Sequence, residues 1–313
     1  MGTFLVIEPG PFSTVQDRGR WGYQQMGLPV SGALDTLAFQ TANLLVGNPE
    51  NAAVLEFTIV GPQLAVMQEV DIAVAGADMQ MKLNYRPVEN WTTIRVKPGD
   101  LLTFQSVNAG CRAYLAVTGG IDVPVVMGSR STFTGAKIGG YHGRPLQKGD
   151  ILKNGPGRPL DRPRRLPESQ IPSYSGQVEL RAVPGPQDDF FHEGLETLFA
   201  AEYTVSGKAD RMGYRLEGPA LMHKEGAPQS IISEPTMPGG IQVPADHQPI
   251  VLLVEQTVGG YTKIATVIST DIPRIAQATP GDTFRFQRVD LEEAHRLYRE
   301  QQGVIFTLSK LFE

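Results

Sequence analysis

Short apolar runs, separated by glycine and proline, dominate the chain. Four of them are rich in β-branched residues and are bounded by glycine or polar turns, at 54–60 (VLEFTIV), 70–76 (VDIAVAG), 112–120 (RAYLAVTGG) and 249–260 (PIVLLVEQTVGG). A Pro-Gly-Asp or Lys-Gly-Asp turn recurs after Lys97, at Lys148 and after Thr279, each time before further apolar residues. Such a turn is a typical entry into a strand. The pattern predicts a mainly β chain.

Three segments follow helical periodicity instead. We predict helices at 33–46, with Gly47 as the stop, at 188–202, and at 291–302, with Asp290 as N-cap and Gly303 closing the helix. Ser31 and Asp35 lie where the N-cap and first turn of the first helix belong. These few helices would cover the ends of β-rich domains.

A proline-rich segment separates two halves of similar length. Residues 154–176 carry five prolines and a small basic cluster, Arg162, Arg164 and Arg165. Proline at this density removes backbone donors and disfavours helix, so the segment has the composition of an extended linker. We therefore predict an N-terminal domain at 1–155, a linker at 156–175, and a C-terminal domain at 176–313 that ends in a helix.

Composition and charge narrow the functional classes. The chain has 34 glycines and 24 prolines, which favours many turns and short strands, and a net charge of −5, which provides no electrostatic basis for nucleic-acid binding. It has one cysteine, so an intrachain disulfide is excluded. The first residues do not resemble a signal peptide, and no stretch approaches the about 20 apolar residues of a membrane span. We expect a cytoplasmic protein without membrane contact.

Familiar catalytic motifs are absent from the sequence. There is no P-loop and no Gly-x-Gly-x-x-Gly after a strand, so a self-contained nucleotide site is not expected. The five histidines are scattered without metal-ligand spacing, so we expect no metal. Pro29 stands where a nucleophile elbow around Ser31 would need glycine, which disfavours a serine hydrolase.

Polar side chains concentrate in glycine-rich loops. Glycine lets backbone approach a ligand, and glutamine, arginine and lysine supply directed hydrogen bonds to carboxylates, amides or phosphates. Any one of these residues can simply satisfy a turn, but together they exceed what turns require. The candidates are Gln16, Asp17 and Arg20, then Arg211 and Arg215, then Gln242, Gln256, Thr257, Tyr261 and Lys263.

Motifs in both halves resemble one family. They include TVQDRGRWGYQQMGLPVSGALD (14–35), RMGYRLEGPAL (211–221) and PGGIQVPADHQPIVLLVEQTVGGYTKI (238–264). These motifs resemble the biotin-dependent carboxyltransferase-like family, also called the allophanate hydrolase subunit 2 family. The resemblance runs from about Phe4 to about Val289. It implies two cyclophilin-like β-barrel domains with a few short helices.

Within that family the chain is most similar to the bacterial 5-oxoprolinase subunits. The resemblance implies a hydrolase that opens the lactam of 5-oxo-L-proline to L-glutamate with ATP hydrolysis and is active only in a complex. The implied partners are a kinase-inhibitor-like subunit and a subunit of the LamB/YcsF type. ATP would be bound together with a partner subunit, and this chain would hold no tightly bound cofactor.

The resemblance also suggests roles for the candidates, with both halves contributing to one cleft. Asp17 would act as the base, and Gln256, Tyr261 and Lys263 would complete the catalytic set. Substrate binding would fall to Gln16, Arg20, Arg211, Arg215, Gln242 and Thr257. Two alternatives remain open: the carboxyltransferase component of a biotin-dependent urea or amide carboxylase, and a non-enzymatic antagonist that binds a kinase-inhibitor-like partner.

Overall fold

The chain forms two compact units that are each assembled from separate stretches of sequence. The structure, a computed structural model, describes residues 2–312. The first unit contains the ranges Met1–Arg20, Ser31–Tyr174 and Val304–Glu313. The second contains Trp21–Val30 and Ser175–Gly303.

The first unit contains two antiparallel sheets. One has the strand order β11-β1-β4-β9-β6-β7 and the other β2-β3-β10-β5-β8. The strands are β1 (Phe4–Glu8), β2 (Ser13–Gln16), β3 (Val54–Thr58), β4 (Gln63–Val66), β5 (Val70–Asp78), β6 (Lys82–Leu83), β7 (Arg86–Pro87), β8 (Thr93–Val96), β9 (Leu101–Thr103), β10 (Ala109–Val117) and β11 (Ile151–Leu152).

The two central strands β5 and β10 are buried on both faces. On one face, Ile72 and Val74 join Leu115 in a core that also takes in residues of the other sheet. On the opposite face, Ala73 and Ala75 pack with residues of helix α1 (Thr36–Leu45). Small side chains on this face let the helix approach the sheet closely. This explains why these strands form apolar runs rather than alternating ones.

Helix α1 begins later than the sequence predicts. Its N-cap is Asp35, whose Oδ1 accepts a hydrogen bond from the amide of Ala38 at 2.9 Å. Ser31, four residues earlier, has a left-handed φ of 55° and is not part of the helix. The hydroxyl of Ser31 is buried and has no hydrogen-bond partner among the described residues.

The proline-rich segment is ordered against the first unit over most of its length, unlike an extended linker. The amide of Leu160 donates to Asp71 Oδ2 at 2.6 Å, and Arg164 donates to the carbonyl of Leu44 at 2.6 Å. Leu166 is buried in the core beside α1. The first unit therefore extends to Tyr174 rather than ending at residue 155.

The second unit is built on one sheet that closes on itself. Its strand order is β12-β19-β13-β14-β17-β16-β18-β15, and an additional pairing of β12 with β18 completes a barrel from which β15 extends. Closure leaves few open edges. The strands are β12 (Gln177–Pro184), β13 (Glu202–Ala209), β14 (Gly213–Glu217), β15 (Ser230–Pro235), β16 (Gly240–Val243), β17 (Ile250–Leu252), β18 (Val258–Val267) and β19 (Thr283–Arg288).

Two predictions for this half need correction. The run 249–260 is not one strand, because a loop at 253–257 separates β17 from β18. The helix predicted at 188–202 is shortened to α2 (Gly194–Ala200), because Phe191 adopts an extended conformation and pairs with His223. A short helix α3 (Ile272–Ala276) was not predicted, and Asp271 before it binds the Arg181 side chain.

The C-terminal helix α4 (Leu291–Leu311) is longer than predicted. Asp290 caps its start, accepting a hydrogen bond from the amide of Glu293 at 2.8 Å, but Gly303 does not end it. A glycine inside a helix costs only about 1 kcal/mol relative to alanine. Burial of Ile305 and Leu308 offsets that cost, and Leu308 joins the core beside α1.

The predicted mainly β fold class is confirmed, with short helices accompanying sheet-rich units. The assignment of both barrels to the cyclophilin-like type stays a prediction. Among residues 2–312, no helix is both long enough and apolar enough to span a membrane.

Candidate functional site

The polar loop after β2 is held together at its base. Gln16 is fully buried, and its side-chain amide donates to the carbonyl of Thr132 while its Oε1 accepts from the amide of Gly32 at 3.1 Å. The carbonyl of Asp17 accepts from the amide of Ala33 at 2.9 Å. Gln16 therefore joins the two ends of the loop, which is a structural contribution.

Asp17 is saturated by donors. Its Oδ1 accepts from the amide of Gly19 at 2.9 Å and from the hydroxyls of Ser129 at 2.6 Å and Ser131 at 2.5 Å. Its Oδ2 accepts from the amide of Arg130 at 2.5 Å. A carboxylate with four such bonds is engaged in fixing two loops. This geometry favours a structural role for Asp17 over the predicted role of base.

Arg20 is the largest fully buried side chain of the first unit. Its Nε donates to the carbonyl of Val126 at 3.1 Å and its Nη2 to that of Ser131 at 2.9 Å. A Cβ on Gly139 would lie 2.6 Å from the same Nη2, so the guanidinium is directly behind this glycine. Arg20 therefore fixes the 126–131 loop and adds a positive charge beneath a glycine-rich turn.

Gln242 and Lys263 are neighbours in the second unit. They lie opposite each other in the β16–β18 pairing, so their side chains share one face. Ile241 and Val243 are buried in the core, and side chains alternate along a strand. Gln242 thus points away from the core. The glycine pairs around these strands mark both residues as candidates in the sequence.

The carboxamide of Gln242 is buried with a free donor. The residue is 2 % exposed, and its Nε2 has no hydrogen-bond partner among residues 2–312. A Cβ on Gly259 would come within 2.3 Å of Nε2, so the amide packs directly on this glycine. Unpaired buried donors are rare in folded proteins because each carries a desolvation cost. Such a group is a candidate for contacting a ligand.

Lys263 supplies the charge next to this amide. Its side chain is largely buried, and its Nζ forms an ion pair with Glu234 of β15. Glu234 lies opposite Gly259 in the β15–β18 pairing. We call Glu234, Gln242, Gly259 and Lys263 the Gln242 group. Glu234 was not predicted, because nothing in the mixed polar and apolar sequence of β15 distinguishes it.

The loop between β17 and β18 binds Arg211, which lies in the turn between β13 and β14. Arg211 forms a buried ion pair with Glu255, whose carboxylate accepts from Nε at 2.5 Å, and the amide of Glu255 donates to the carbonyl of Arg211 at 3.1 Å. Arg211 is therefore held by the loop. Glu255 was missed, although a single acid at the end of the run PIVLLV signals a buried, paired charge.

Gln256 and Thr257 connect this loop to the Gln242 group. Gln256 Nε2 donates to the carbonyl of Val258 at 2.8 Å, and the carbonyl of Thr257 accepts from the amide of Thr236 at 2.9 Å. The carbonyl of Thr236 in turn accepts from the side chain of Gln24 at 2.9 Å. These contacts fix the backbone that leads into Gly259.

The remaining predicted residues are more peripheral. Tyr261 is 45 % exposed on β18, where its phenol is accessible. Arg215 is exposed on β14 between the buried Tyr214 and Leu216, so its side chain lies on the outer face of the barrel. The structure thus brings Gln242 and Lys263 together and places Gln256 and Thr257 on the adjoining loop, which binds Arg211 through Glu255. Arg215 lies apart from them. The predicted cleft shared by both halves stays a prediction.

Two histidines form a further cluster in the second unit. His223 Nε2 and Thr262 Oγ1 are 2.8 Å apart, and the rings of His223 and His247 have centroids 5.7 Å apart. Burial, followed by the nearby His247, lowers the pKa of His223. Within residues 2–312 no group of three or more histidine, cysteine or acidic side chains could hold a metal ion.

The chain is therefore mainly β, and the donors of its candidate site are the amide of Gln242 and the ammonium of Lys263. The model of the family described as "Carboxyltransferase domain, subdomain A and B" matches residues 26–288. The chain belongs to this family, as its motifs had indicated.

The proteins that this chain is similar to are of two kinds, 5-oxoprolinase subunits and urea amidolyases. The chain is 39 % identical over 302 residues to a 5-oxoprolinase subunit of Escherichia coli K12, covering 95 % of this chain and 94 % of that protein. It is 35 % identical over 292 residues to the corresponding 5-oxoprolinase subunit of Haemophilus influenzae, covering 93 % and 92 %. The crystal structure of the K. lactis urea amidolyase superposes with a TM-score of 0.92 at 33 % identity, covering 98 % of this chain and 20 % of that one.

Proposed function

We propose that the chain is the carboxyltransferase-like subunit of an ATP-dependent 5-oxoprolinase, which opens the lactam of 5-oxo-L-proline to L-glutamate. The two 5-oxoprolinase subunits match this chain over nearly their whole length. The urea amidolyase structure contains a similar region as one fifth of a much longer chain. Similarity along the full length therefore supports the 5-oxoprolinase assignment.

The observation that carries the proposal is the buried, unpaired amide of Gln242 beside Lys263. Lactam opening moves negative charge onto the carbonyl oxygen of a poorly reactive amide. A fixed N–H donor and a nearby ammonium stabilise such charge without forming a covalent intermediate. Burial strengthens both interactions, because water competes less for the donors. In this proposal Gln242 contacts the lactam oxygen or the substrate carboxylate.

The neighbouring residues hold these two donors in place. Glu234 orients the Lys263 ammonium, and Gly259 leaves room for the Gln242 carboxamide. The Arg211–Glu255 pair fixes the loop that precedes Gly259. Tyr261 remains a candidate for substrate contact through its exposed phenol. Gln16, Asp17 and Arg20 instead fix loops of the first unit.

The relatives are named as parts of a larger enzyme, which supports action within a complex. We propose two partners, a kinase-inhibitor-like subunit and a LamB/YcsF-like subunit, which together with this chain bind ATP in the cytoplasm. This division of labour accounts for a chain that lacks a P-loop and a dinucleotide fingerprint.

The test is turnover by the three-subunit complex. Gln242→Leu removes the donor while keeping similar volume, and we expect kcat/KM for 5-oxoproline-dependent ADP release to fall about 10²–10³-fold. The matched control is Gln287→Leu, on an exposed position of β19, which should leave the rate unchanged. A Gln242→Leu complex that assembles normally and keeps the wild-type rate would exclude the assigned role.

A second candidate is the carboxyltransferase component of a biotin-dependent urea or amide carboxylase. The high TM-score with the urea amidolyase favours it. The same purified chain, supplied with carboxybiotin and urea, should then catalyse carboxyl transfer. Carboxyl transfer without 5-oxoproline turnover would select this candidate. Partner binding and no catalytic activity in either assay would select a non-enzymatic antagonist.

A further inference from the structure

A cavity of about 550 Å³ lies within the first unit. Its walls come from three segments, at 122–126, 137–143 and 151–153. The volume is within the range of sites for small molecules, about 300–1,000 Å³. None of the predicted catalytic or substrate-binding residues lines it.

The glycine-rich turn in its wall presents free amides. Gly139, Gly140 and Gly143 have left-handed φ values of 67°, 54° and 66°, and so does His142 at 57°. In the part of the chain that the structure describes, the amide N–H groups of Tyr141 and His142 donate no hydrogen bond. Successive N–H groups in a turn that mixes left- and right-handed residues form a concavity that attracts anions.

Three positive charges surround this turn. Lys137 and Lys153 both line the cavity, and neither forms an ion pair among the described residues. The guanidinium of Arg20 lies immediately behind Gly139. The only acid that the described lining contains is Asp122, so the charge around the cavity is net positive.

The turn is rigidly packed. A Cβ on Gly140 would come within 1.8 Å of the Thr132 hydroxyl oxygen, and one on Gly143 within 2.1 Å of the Lys137 carbonyl oxygen. The backbone therefore cannot relax toward these neighbours. Donors that are fixed before a ligand arrives lose little conformational freedom on binding.

We propose that this cavity binds a small molecule through an oxyanion group, a carboxylate or a phosphate. The oxyanion accepts from the amides of Tyr141 and His142 and lies near the ammonium groups of Lys137 and Lys153. Asp122 repels a simple anion but attracts an amino group. It therefore distinguishes an amino acid, which carries both charges, from a phosphate.

The experiment uses the full chain labelled with ¹⁵N. Inorganic phosphate and L-glutamate are titrated separately while the amide resonances of Tyr141 and His142 are followed. We expect saturable shifts at these two amides with at least one probe. Lys137→Met combined with Lys153→Met should weaken binding about tenfold. Lys148→Met is the control, because Lys148 forms an exposed ion pair with Glu8, and it should bind as the wild type does.

A gain of affinity provides a test that misfolding cannot mimic. Asp122→Asn should tighten phosphate binding about threefold, because it removes a repulsive charge. If the natural ligand is an amino acid, the same variant should weaken L-glutamate binding instead. The proposal fails if neither probe shifts the two amides up to its solubility limit. It also fails if the double lysine variant binds with unchanged affinity.

Discussion

At the scale of single residues, donors that are distant in the chain hold the carboxylate of Asp17 in place. Asp17 stands out in a glycine-rich loop, but the hydroxyls that saturate it come from residues 112 and 114 positions later. The sequence around Asp17 does not indicate which residues will be its donors. A residue that fixes a loop and a residue that faces a ligand therefore look alike until the fold is known.

Gln242 and Lys263 illustrate what the sequence does convey. Glycine pairs flank both strands, and glycine permits close approach. The structure shows the approach to be internal, with Gly259 making room for the Gln242 amide. The pairing of Gln242 with Lys263 depends on strand register, which includes an irregularity next to Gln242 and could not be read from either strand alone.

The Arg211–Glu255 pair gives a stability prediction at this scale. Both side chains are buried, so Arg211→Met leaves Glu255 without its countercharge and should lower the free energy of unfolding by about 3–5 kcal/mol. The double variant Arg211→Met with Glu255→Leu should recover most of that loss, because no buried charge then remains unpaired. Urea unfolding measures both.

The control is another arginine–glutamate pair in the same unit. Arg285 and Glu202 are exposed, and Arg285→Met should cost less than about 1 kcal/mol. An Arg211→Met variant that is no less stable than Arg285→Met would show that the buried pair does not hold the loop.

At the scale of elements, periodicity locates helices and strands but places their ends poorly. Helix α4 continues through Gly303 because its last turns find a core to pack on. Helix α2 starts late because Phe191 pairs with a distant residue, His223. In both cases a tertiary contact outweighs the local sequence preference, which for Gly303 inside α4 is about 1 kcal/mol.

The proline-rich segment shows the same effect on a larger scale. Its composition is that of a linker, yet Asp71 in β5 holds it: the buried carboxylate accepts from the amide of Leu160 and from Arg95 at 2.8 Å. The hydroxyl of Thr93 donates to the carbonyl of Arg164 and accepts from the amide of the same residue. Proline-rich chain can thus be ordered when a neighbouring sheet supplies partners for its remaining amides.

We predict that Asp71→Ala releases this segment. It leaves the Leu160 amide without its acceptor and should lower the free energy of unfolding by about 1–3 kcal/mol. Limited trypsin digestion should then cleave faster after Arg164 and Arg165, the two arginines of the segment that no proline follows. Glu89→Ala is the control, because it removes only the exposed ion pair with Arg165. Equal cleavage rates in the two variants would contradict the anchoring role of Asp71.

At the scale of the whole molecule, the class of fold follows from the sequence but the division into units does not. Residues 21–30 belong to the second unit and residues from Val304 onward to the first. Changes of composition along the chain cannot show that a segment belongs to the other unit. The unit of a segment depends on which core that segment contacts. The β12–β18 pairing that closes the barrel of the second unit cannot be predicted from local sequence patterns either.

The histidine cluster adds a pH dependence to this picture. His223 lies against Phe191 and faces Thr262 and His247. Burial and the neighbouring His247 lower the pKa of His223 below its ordinary value of about 6.5. The unfolded chain therefore binds a proton at this residue at higher pH than the folded chain does.

It follows that the stability contributed by neutral His223 is fully present above pH about 6.5 and is lost as the pH falls through the lowered pKa. Calorimetry from neutral to mildly acid pH should show the transition that includes the second unit moving to lower temperature. His223→Gln keeps a donor for Thr262 but cannot be protonated, so its transition should move less. His295→Gln, on the exposed face of α4, should behave as the wild type does. If the wild type and His223→Gln lose stability in parallel as the pH falls, then another group causes the loss, because the proton taken up on unfolding cannot be the one on His223.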